Sequence, residues 1–474
     1  MTLHRRRWLY LSFIVIFVIV GSALLFYLQG YRLSLTNWQV ERTGAIQANS
    51  EPKNARVSLN GQIADELTPA TLLSLRPADY DVELTLAGFQ TWHKTLTVSP
   101  AEVTFTGNVT LWPELNTGTP LGVTNLSNSF LSPNGENLLY LTKPNAGTEL
   151  WLLNLTSGQV RLLTRNAAAE IIAAEWQSSS RELLTQERLG KTLIWRVFSL
   201  ETNSWKEVTL PPELSVNAIH WGEERGLLYA TTTNELYELD QRTQATKLIW
   251  RERLKDWRVH DGLIFGLTSH NGEAISLKLL NLSNLQTVPL TETPTLSTDV
   301  TFMPARQDWL PLFDADRHSL YLLHSPLSDL KPIRLLPEVT TMSWASNDSL
   351  VITNNFEIWQ YNLADESPIF VERLSSTLAG AQRYGAEPYI LFFGGNEIWA
   401  TELDDRGERQ RWLLAQFSSN VTSLFLSPEA ATLTVQTADD IYRLNLRATA
   451  QTSSPPTDLP STMIQKFLHL SNRP

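Results

Sequence analysis

The chain has 474 residues, 42% of them hydrophobic and 18% charged, which is too apolar for a disordered protein and long enough for two to four folded units. Thirty-eight basic residues against 49 acidic ones give a net charge of -11, which excludes a general electrostatic attraction to nucleic acid. Without cysteine there is no disulfide framework, thiolate zinc site, iron–sulfur cluster or cysteine nucleophile, so folding rests on apolar cores.

Residues 1–7 form a short basic N-terminus, and residues 8–28, from Trp8 to Leu28, carry no charge. As a helix this segment is about 31 Å long at about 1.5 Å per residue, matching a hydrocarbon core of about 30 Å. Arg5, Arg6 and Arg7 precede it and only Arg32 follows closely, so the expected topology has a cytoplasmic N-terminus and the rest outside. Trp8, Tyr10, Tyr27 and Tyr31 bracket the run as interface anchors. The alternative is a cleavable signal with Gly21, Ser22 and Ala23 near the cut; its apolar run exceeds the roughly 7–15 residues usual in such signals. Both readings place the bulk of the chain outside the cytoplasm, after a polar juxtamembrane linker at 29–42.

Between 43 and 113 short alternating segments predict a small β domain. Arg56 to Leu59 runs into Asn60-Gly61, a two-residue hairpin signal. Asp81 to Leu86, Thr91 to Val98 and Val103 to Leu111 are further strands, the last ending at Trp112-Pro113. The blocks Ser50-x-Pro52-x-x-Ala55-x-Val57-x-Leu59-Asn60-Gly61, Thr68-Pro69, Leu75-x-Pro77-x-x-Tyr80-x-Val82 and Gly88-Phe89-x-x-Trp92 resemble the PEGA domain of prokaryotic surface and membrane-anchored proteins. That resemblance implies a β-sandwich-like module and carries over no catalytic residue. Ala78 stands where the family usually has glycine, and Phe89 where it often has tyrosine.

From 115 to 447 the sequence repeats. An apolar or aromatic residue followed by a polar turn recurs at Leu131, Trp176, Trp221, His260, Met303, Trp344, Tyr384 and Leu426, at intervals of 39 to 45 residues. A second anchor recurs at Trp151, Trp195, Tyr237, Leu277, Tyr321, Trp359, Trp399 and Tyr442. Four strands per unit of about 40 to 45 residues is the pattern of a β-propeller blade. The first unit, with Ser132-Pro133-Asn134-Gly135 before its second strand, resembles TolB-like and WD40-like repeats. The expected fold is thus all-β: a PEGA-type sandwich, then a propeller of eight units, seven as the alternative, behind one transmembrane helix. The last unit stops near Leu446 after three strands, and Thr117 to Val123 is placed to supply its fourth and close the ring. Residues 448–474 read as a Pro, Ser and Thr-rich linker and a tail whose Ser461 to Leu470 stretch suits a short amphipathic helix on the propeller.

Chemistry leaves no linear trace. The histidines form no HExxH pair, and Gly190-Lys191-Thr192 lacks the leading glycine of a P-loop because Thr185 holds its place. The pairs Asp314/Asp316 and Asp404/Asp405 lack the rest of a calcium loop and read as solvated turns. Seven tryptophans fall on the anchors and read as filling between blades; Trp205, Trp250, Trp257, Trp309 and Trp412 lie off them and are the candidates for a stacking surface. No catalytic, cofactor-binding or metal-ligating residue is assigned, and no cofactor is expected. The leading functional expectation is a membrane-tethered extracytoplasmic binding or scaffold protein recognising a protein or cell-envelope polymer, without nucleic acid. Its rival is a propeller enzyme of glycoside hydrolase or lyase type with polar groups converging in the central channel. A sensor of envelope state is a third reading, weakened by how little precedes Trp8.

Overall fold

A blade that is apolar on both faces needs a neighbour on each side, and this requirement organises most of the chain. The computed structural model describes residues 3–28, 31–34, 39–123, 125–144, 147–269, 275–290, 294–324 and 333–447. Between 119 and 447 it contains eight four-stranded sheets among the described residues, seven of them simple antiparallel meanders of consecutive strands. We number them blades 1 to 8, with first strands Leu126–Leu131, Glu170–Trp176, Ala218–Trp221, Leu254–His260, Val300–Phe302, Thr341–Trp344, Gly380–Arg383 and Val421–Leu426. Their second strands lose polar alternation: Asn137–Thr142, Leu263–Thr268 and Tyr389–Gly394 are buried at nearly every position. Ordinary half-exposed antiparallel strands alternate; these do not, because each of their faces meets another blade.

Eight buried apolar clusters correspond to the eight junctions. Leu139, Leu150, Trp176 and Phe198 join blades 1 and 2. Trp195, Trp221 and Leu228 join blades 2 and 3, and Trp250, Trp257 and Ile264 join blades 3 and 4. The series continues through Phe265 and Leu312, Leu322 and Ile352, and Val351 and Phe392. Leu138, Tyr140 and Ile441 form the junction between blades 8 and 1. The anchors also make polar stitches: the indoles of Trp176, Trp221 and Trp344 donate to the carbonyls of Phe130, Glu175 and Pro304 in the preceding blades, at 2.9, 3.2 and 2.9 Å.

The ring closes as the missing fourth strand required. Thr119–Pro120 pairs antiparallel with the third strand of blade 8, Thr119 opposite Arg443 and Pro120 opposite Tyr442. Arg443 then reaches blade 1 and donates to the carbonyl of Ser157 at 2.8 Å.

The N-terminal β domain is two sheets. Ala70–Leu75, Gly44–Glu51 and Val103–Thr110 form one, with the last two parallel; Gln62–Leu67, Arg56–Leu59, Ala78–Thr85 and Trp92–Val98 form the other. Asn60 and Gly61 both have positive φ, 49° and 76°, and join Leu59 to Gln62 in the tight hairpin that the dipeptide predicts. The strands Gly44–Glu51, Gln62–Leu67 and Ala70–Leu75 are additions to the sequence reading, as is a short hairpin, Tyr31–Ser34 with Gln39–Arg42, inside the stretch read as linker.

This domain does not stand apart from the ring. Its core residues Ile46, Val57, Leu84, Trp92 and Trp112 belong to one cluster with Tyr384, Tyr389, Trp412 and Leu414 of blade 7 and Leu433 and Val435 of blade 8. Trp112 meets the rings of Tyr384 and Tyr389 at 4.9 and 5.5 Å. Within this contact Lys94 Nζ is 2.6 Å from Glu402 Oε1 and 3.5 Å from Asp404, with the Lys94 and Glu402 side chains 1% and 4% exposed. Glu402 also accepts from Trp92 Nε1 at 3.3 Å and from the Gln410 amide at 3.0 Å. Gln90 and Thr91 bind Leu413 and Trp412 across the same seam. Asp404, expected as a solvated turn residue, is a correction: burial alone would raise its pKa, but bonds from Arg406 and the charge of Lys94 outweigh it and hold the carboxyl below its usual range. Asp314 is a second one, fully buried and accepting from the Ser297 amide and hydroxyl at 2.8 and 2.5 Å.

The helix α1, Leu3–Leu28, is continuous over 26 residues. Its large described side chains, from Trp8 to Phe26, are 48 to 74% exposed. Among the described residues no helix is long and apolar enough to cross a membrane, the side chains of α1 being described at 8, 10–22 and 24–26 only. The tail at 448–474, with its expected amphipathic helix, lies outside the described residues.

Removing one partner of a buried ion pair leaves the other charge without compensation, at a cost of about 3–5 kcal/mol. Lys94→Ala is expected to lower the urea midpoint accordingly, and Lys94→Met combined with Glu402→Gln to recover most of the loss. A chain ending before Asn420 loses three strands of blade 8, frees Thr119–Pro120 and opens two junction faces. It is expected to elute from size exclusion as aggregate, whereas a stable monomer would argue against closure.

Candidate functional site

The first strands of neighbouring blades lie close to one another, as between blades 1 and 2, 2 and 3, 4 and 5, and 6 and 7, so they form the inner ring around the central channel. The repeat itself determines what they present there. Trp176 and Trp221 each turn into the junction with the preceding blade, and because successive strand residues point to opposite faces, Glu175 and His220 turn the other way.

These two residues begin a polar chain across three blades. His220 Nδ1 lies 2.6 Å from Glu175 Oε2, and His220 Nε2 lies 3.4 Å from Nη1 of Arg258 in blade 4. Nη1 of Arg258 is also 3.0 Å from Asp256 Oδ1 and 2.7 Å from the Trp257 carbonyl. The indole of Trp257 supports the imidazole edge-on at 4.8 Å. With a carboxylate at Nδ1 and a guanidinium at Nε2, the geometry assigns the ring proton to Nδ1 and makes Nε2 the acceptor. Both ring nitrogens are therefore engaged. All four side chains keep partial solvent access, between 22 and 35% exposed, so the chain forms a charged strip on the channel wall.

Elsewhere around the inner ring polar groups are likewise paired. Ser129 donates to Gln436 at 2.7 Å across the closing junction, and Ser343 donates to the Ala381 carbonyl at 2.8 Å. Arg383 donates to Gln360 at 3.3 Å, and its burial pulls the guanidinium below the usual arginine range. His260, at the end of the first strand of blade 4, differs: its Nε2 is buried without a partner, and burial holds its pKa below the ordinary histidine value despite nearby Glu223 and Asp261. Among the described residues no group of three or more His, Asp or Glu is placed to hold a metal ion.

The second repeat anchor makes its own device. In Glu149/Trp151, Glu357/Trp359 and Glu397/Trp399 the indole donates to the carboxylate two residues earlier, at 3.0, 3.2 and 3.1 Å; Tyr237 does the same to Glu235 at 2.5 Å. Arg165, Arg251 and Arg373 pair with Glu149, Glu235 and Glu357 from the adjacent fourth strands or just beyond. Of the second anchors, Trp151, Tyr237, Trp359 and Trp399 are half-buried and stitch third to fourth strands, Trp151, Tyr237 and Trp399 packing also against the clusters between blades 8 and 1, 2 and 3, and 6 and 7, while Trp195, Leu277 and Tyr321 are buried in junctions.

None of the five off-anchor tryptophans offers an open ring. Trp250, Trp257 and Trp412 are buried, the last against the N-terminal domain. Trp205 packs on Phe198 at 4.9 Å and Trp309 on His324 at 4.2 Å. Gly190 sits at positive φ, 62°, in a hairpin between Leu189 and Thr192, a turn as expected. What sequence reasoning did not find is the Glu175–His220–Arg258–Asp256 chain; the available signal was that Glu175 and His220 occupy the same place, directly before the anchor, in successive units.

In the N-terminal domain the motif blocks converge: Ser50 Oγ and Thr68 Oγ1 are 2.6 Å apart, and the Ala55 amide donates to Thr68 Oγ1 at 2.9 Å, so the first and second blocks lock one strand entry to the other. Residues 43–114 match the PEGA domain family. The PEGA tryptophan Trp92 is the residue that also holds Glu402, so the motif forms part of the seam with blade 7. Among solved structures the chain is similar to the C-terminal WD40 domain of Sif2, at 10% identity and TM-score 0.48 over 70% of this chain and 99% of that one. It is similar also to the Dos1 propeller, at 12% and 0.46 over 70% and 95%, and to an oligogalacturonate lyase from Vibrio parahaemolyticus, at 12% and 0.40 over 62% and 91%. These are likenesses of fold. No curated protein matches by sequence.

A histidine held neutral by burial contributes stability that is complete above its unfolded pKa of about 6.5 and is lost as pH falls toward the lower folded value. The urea midpoint is expected to drop as pH is lowered through 6.5, and His260→Leu to remove that part of the slope; equal slopes in the two proteins would contradict the assignment.

Proposed function

We propose that this chain is a membrane-tethered extracytoplasmic binding or scaffold protein, with α1 as the tether and the ring as the recognition surface for a protein or cell-envelope polymer. The tether reading is supported by the uncharged run from Trp8 to Leu28, the three arginines before it, and the continuous helix with outward apolar side chains. The PEGA domain then works as a rigid mount, since its core is continuous with that of blades 7 and 8.

The observation that supports binding over catalysis is the condition of the channel strip. Reaction at a histidine requires a ring nitrogen aimed at substrate, and His220 spends both nitrogens on Glu175 and Arg258. Wide surfaces built from many loops suit macromolecules better than small substrates. One specific observation favours the enzyme reading: a carboxylate-oriented histidine beside a guanidinium is a base next to an anion holder, and release of Arg258 would free Nε2. A hydrolase or lyase of that kind would act on an anionic polymer.

One experiment covers both. Protease shaving of intact cells is expected to remove the ring, and affinity capture from envelope extract with the full-length protein to retain a macromolecular partner, with no turnover in a hydrolase and lyase screen. Turnover abolished by His220→Ala and reduced by Glu175→Gln would replace the binding reading with the catalytic one.

A further inference from the structure

Three large apolar side chains stand exposed together on the outer face of the three-stranded sheet in the PEGA domain. Ile46, fully buried, pairs with Leu72 and Thr104, and because successive strand residues point to opposite faces, Leu73, Val103 and Phe105 turn outward. They are 69%, 46% and 53% exposed. Thr71 and Gln47 share this face, and neither is charged. Register sets its position: Gly44 pairs with Leu75 and Ala45 with Val103, so Leu73 and Val103 lie at the end of the sheet where the chain arrives from α1. The route there is short. From Leu28 the chain takes three residues to Tyr31, which pairs with Arg42, two residues before Gly44. Such a path spans at most about 25 Å.

Area and position select the occupant. A contiguous exposed apolar patch marks a contact surface, but three large side chains fall well short of the roughly 20–30 residues a side that a stable protein interface uses. A bilayer surface makes no such demand on a chain that is already anchored, because an apolar contact too weak to hold alone is effective beside a second membrane signal. We propose that this sheet face rests in the headgroup layer of the bilayer crossed by α1, with Leu73 and Val103 deepest and Phe105 above them. The inference rests on the tether reading above and adds a second membrane contact to it. The domain's core is continuous with that of blades 7 and 8, and Arg406 of blade 7 donates to the Phe105 carbonyl at 2.9 Å. A face held at the lipid surface therefore sets the tilt of the ring as well.

The chain contains no cysteine, so a single label can be placed at will. Leu73→Cys, Val103→Cys, Val18→Cys and Leu189→Cys are each labelled with nitrobenzoxadiazole in the full-length protein, in phosphatidylcholine nanodiscs carrying a nitroxide on the headgroup or on the acyl chain. Leu189, 45% exposed in blade 2, is the control matched to Val103, and Val18 reports on α1. Headgroup nitroxide is expected to quench the labels at 73 and 103 at least about twofold more strongly than the label at 189, as for side chains seated in the interface. Adding Phe105→Glu to the Leu73→Cys protein is expected to weaken that quenching. Quenching at 73 and 103 no stronger than at 189 overturns the proposal, and if acyl-chain quenching at 18 is retained the tether reading survives. Blue-shifted emission at 73 without quenching means that protein covers the face, and overturns the proposal as well. Absence of acyl-chain quenching at 18 sinks the tether reading and the proposal with it.

Discussion

Each blade of this protein has two apolar faces, and burying both is possible only if the sheets close on themselves. A stack of eight such sheets left open would expose one face at each end together with unpaired strand edges. Closure resolves this with very little chain: two paired residues, Thr119 and Pro120, complete blade 8, and the cluster of Leu138, Tyr140 and Ile441 seals it to blade 1. The burial of both faces in second strands such as Leu263–Thr268 and Tyr389–Gly394 follows from the same constraint, and so does the demand for large rings at Trp176, Trp221 and Trp344, whose indole groups each satisfy a carbonyl of the neighbour.

Closure depends on where residue 119 is delivered, and the PEGA domain controls that. Trp112 is packed on Tyr384 and Tyr389, Asn116 donates from its amide to the Leu414 carbonyl at 3.1 Å, and three residues later the closing strand begins. The buried Lys94–Glu402 pair adds direction to this seam more than strength. Desolvation offsets much of its attraction, but with Trp92 and the Gln410 amide also bound to Glu402 the pairing fixes the register in which the domain docks. The domain that reads as a separate module is in physical terms the clamp for blades 7 and 8.

The same geometry sorts the charges. On the inner ring the residue before each junction tryptophan is turned toward the next blade, so Glu175 finds His220 and His220 finds Arg258, which is paired in turn with Asp256. At the outer edge between blades 2 and 3 Arg225 is held across the junction by Glu182 and Glu201 of blade 2, and Arg242 by Asp240 beside it.

The repeat period, the hairpin at Asn60-Gly61, the PEGA blocks and the closing role of the segment after Thr117 were all legible in the sequence, because each depends on local periodicity or on a turn residue with a specific φ. Tertiary structure alone decided the rest. Lys94 and Glu402 are 308 residues apart and each looks like an ordinary surface charge on an alternating strand; Asp404 and Asp314 look like turn residues. Glu175, His220 and Arg258 belong to three different blades and share no motif. The tryptophans counted as possible stacking surfaces, Trp250, Trp257 and Trp412, became core once a neighbouring blade or the PEGA domain was laid against them. Burial and pairing between distant segments are properties of the assembled ring, and no window of the chain contains both partners.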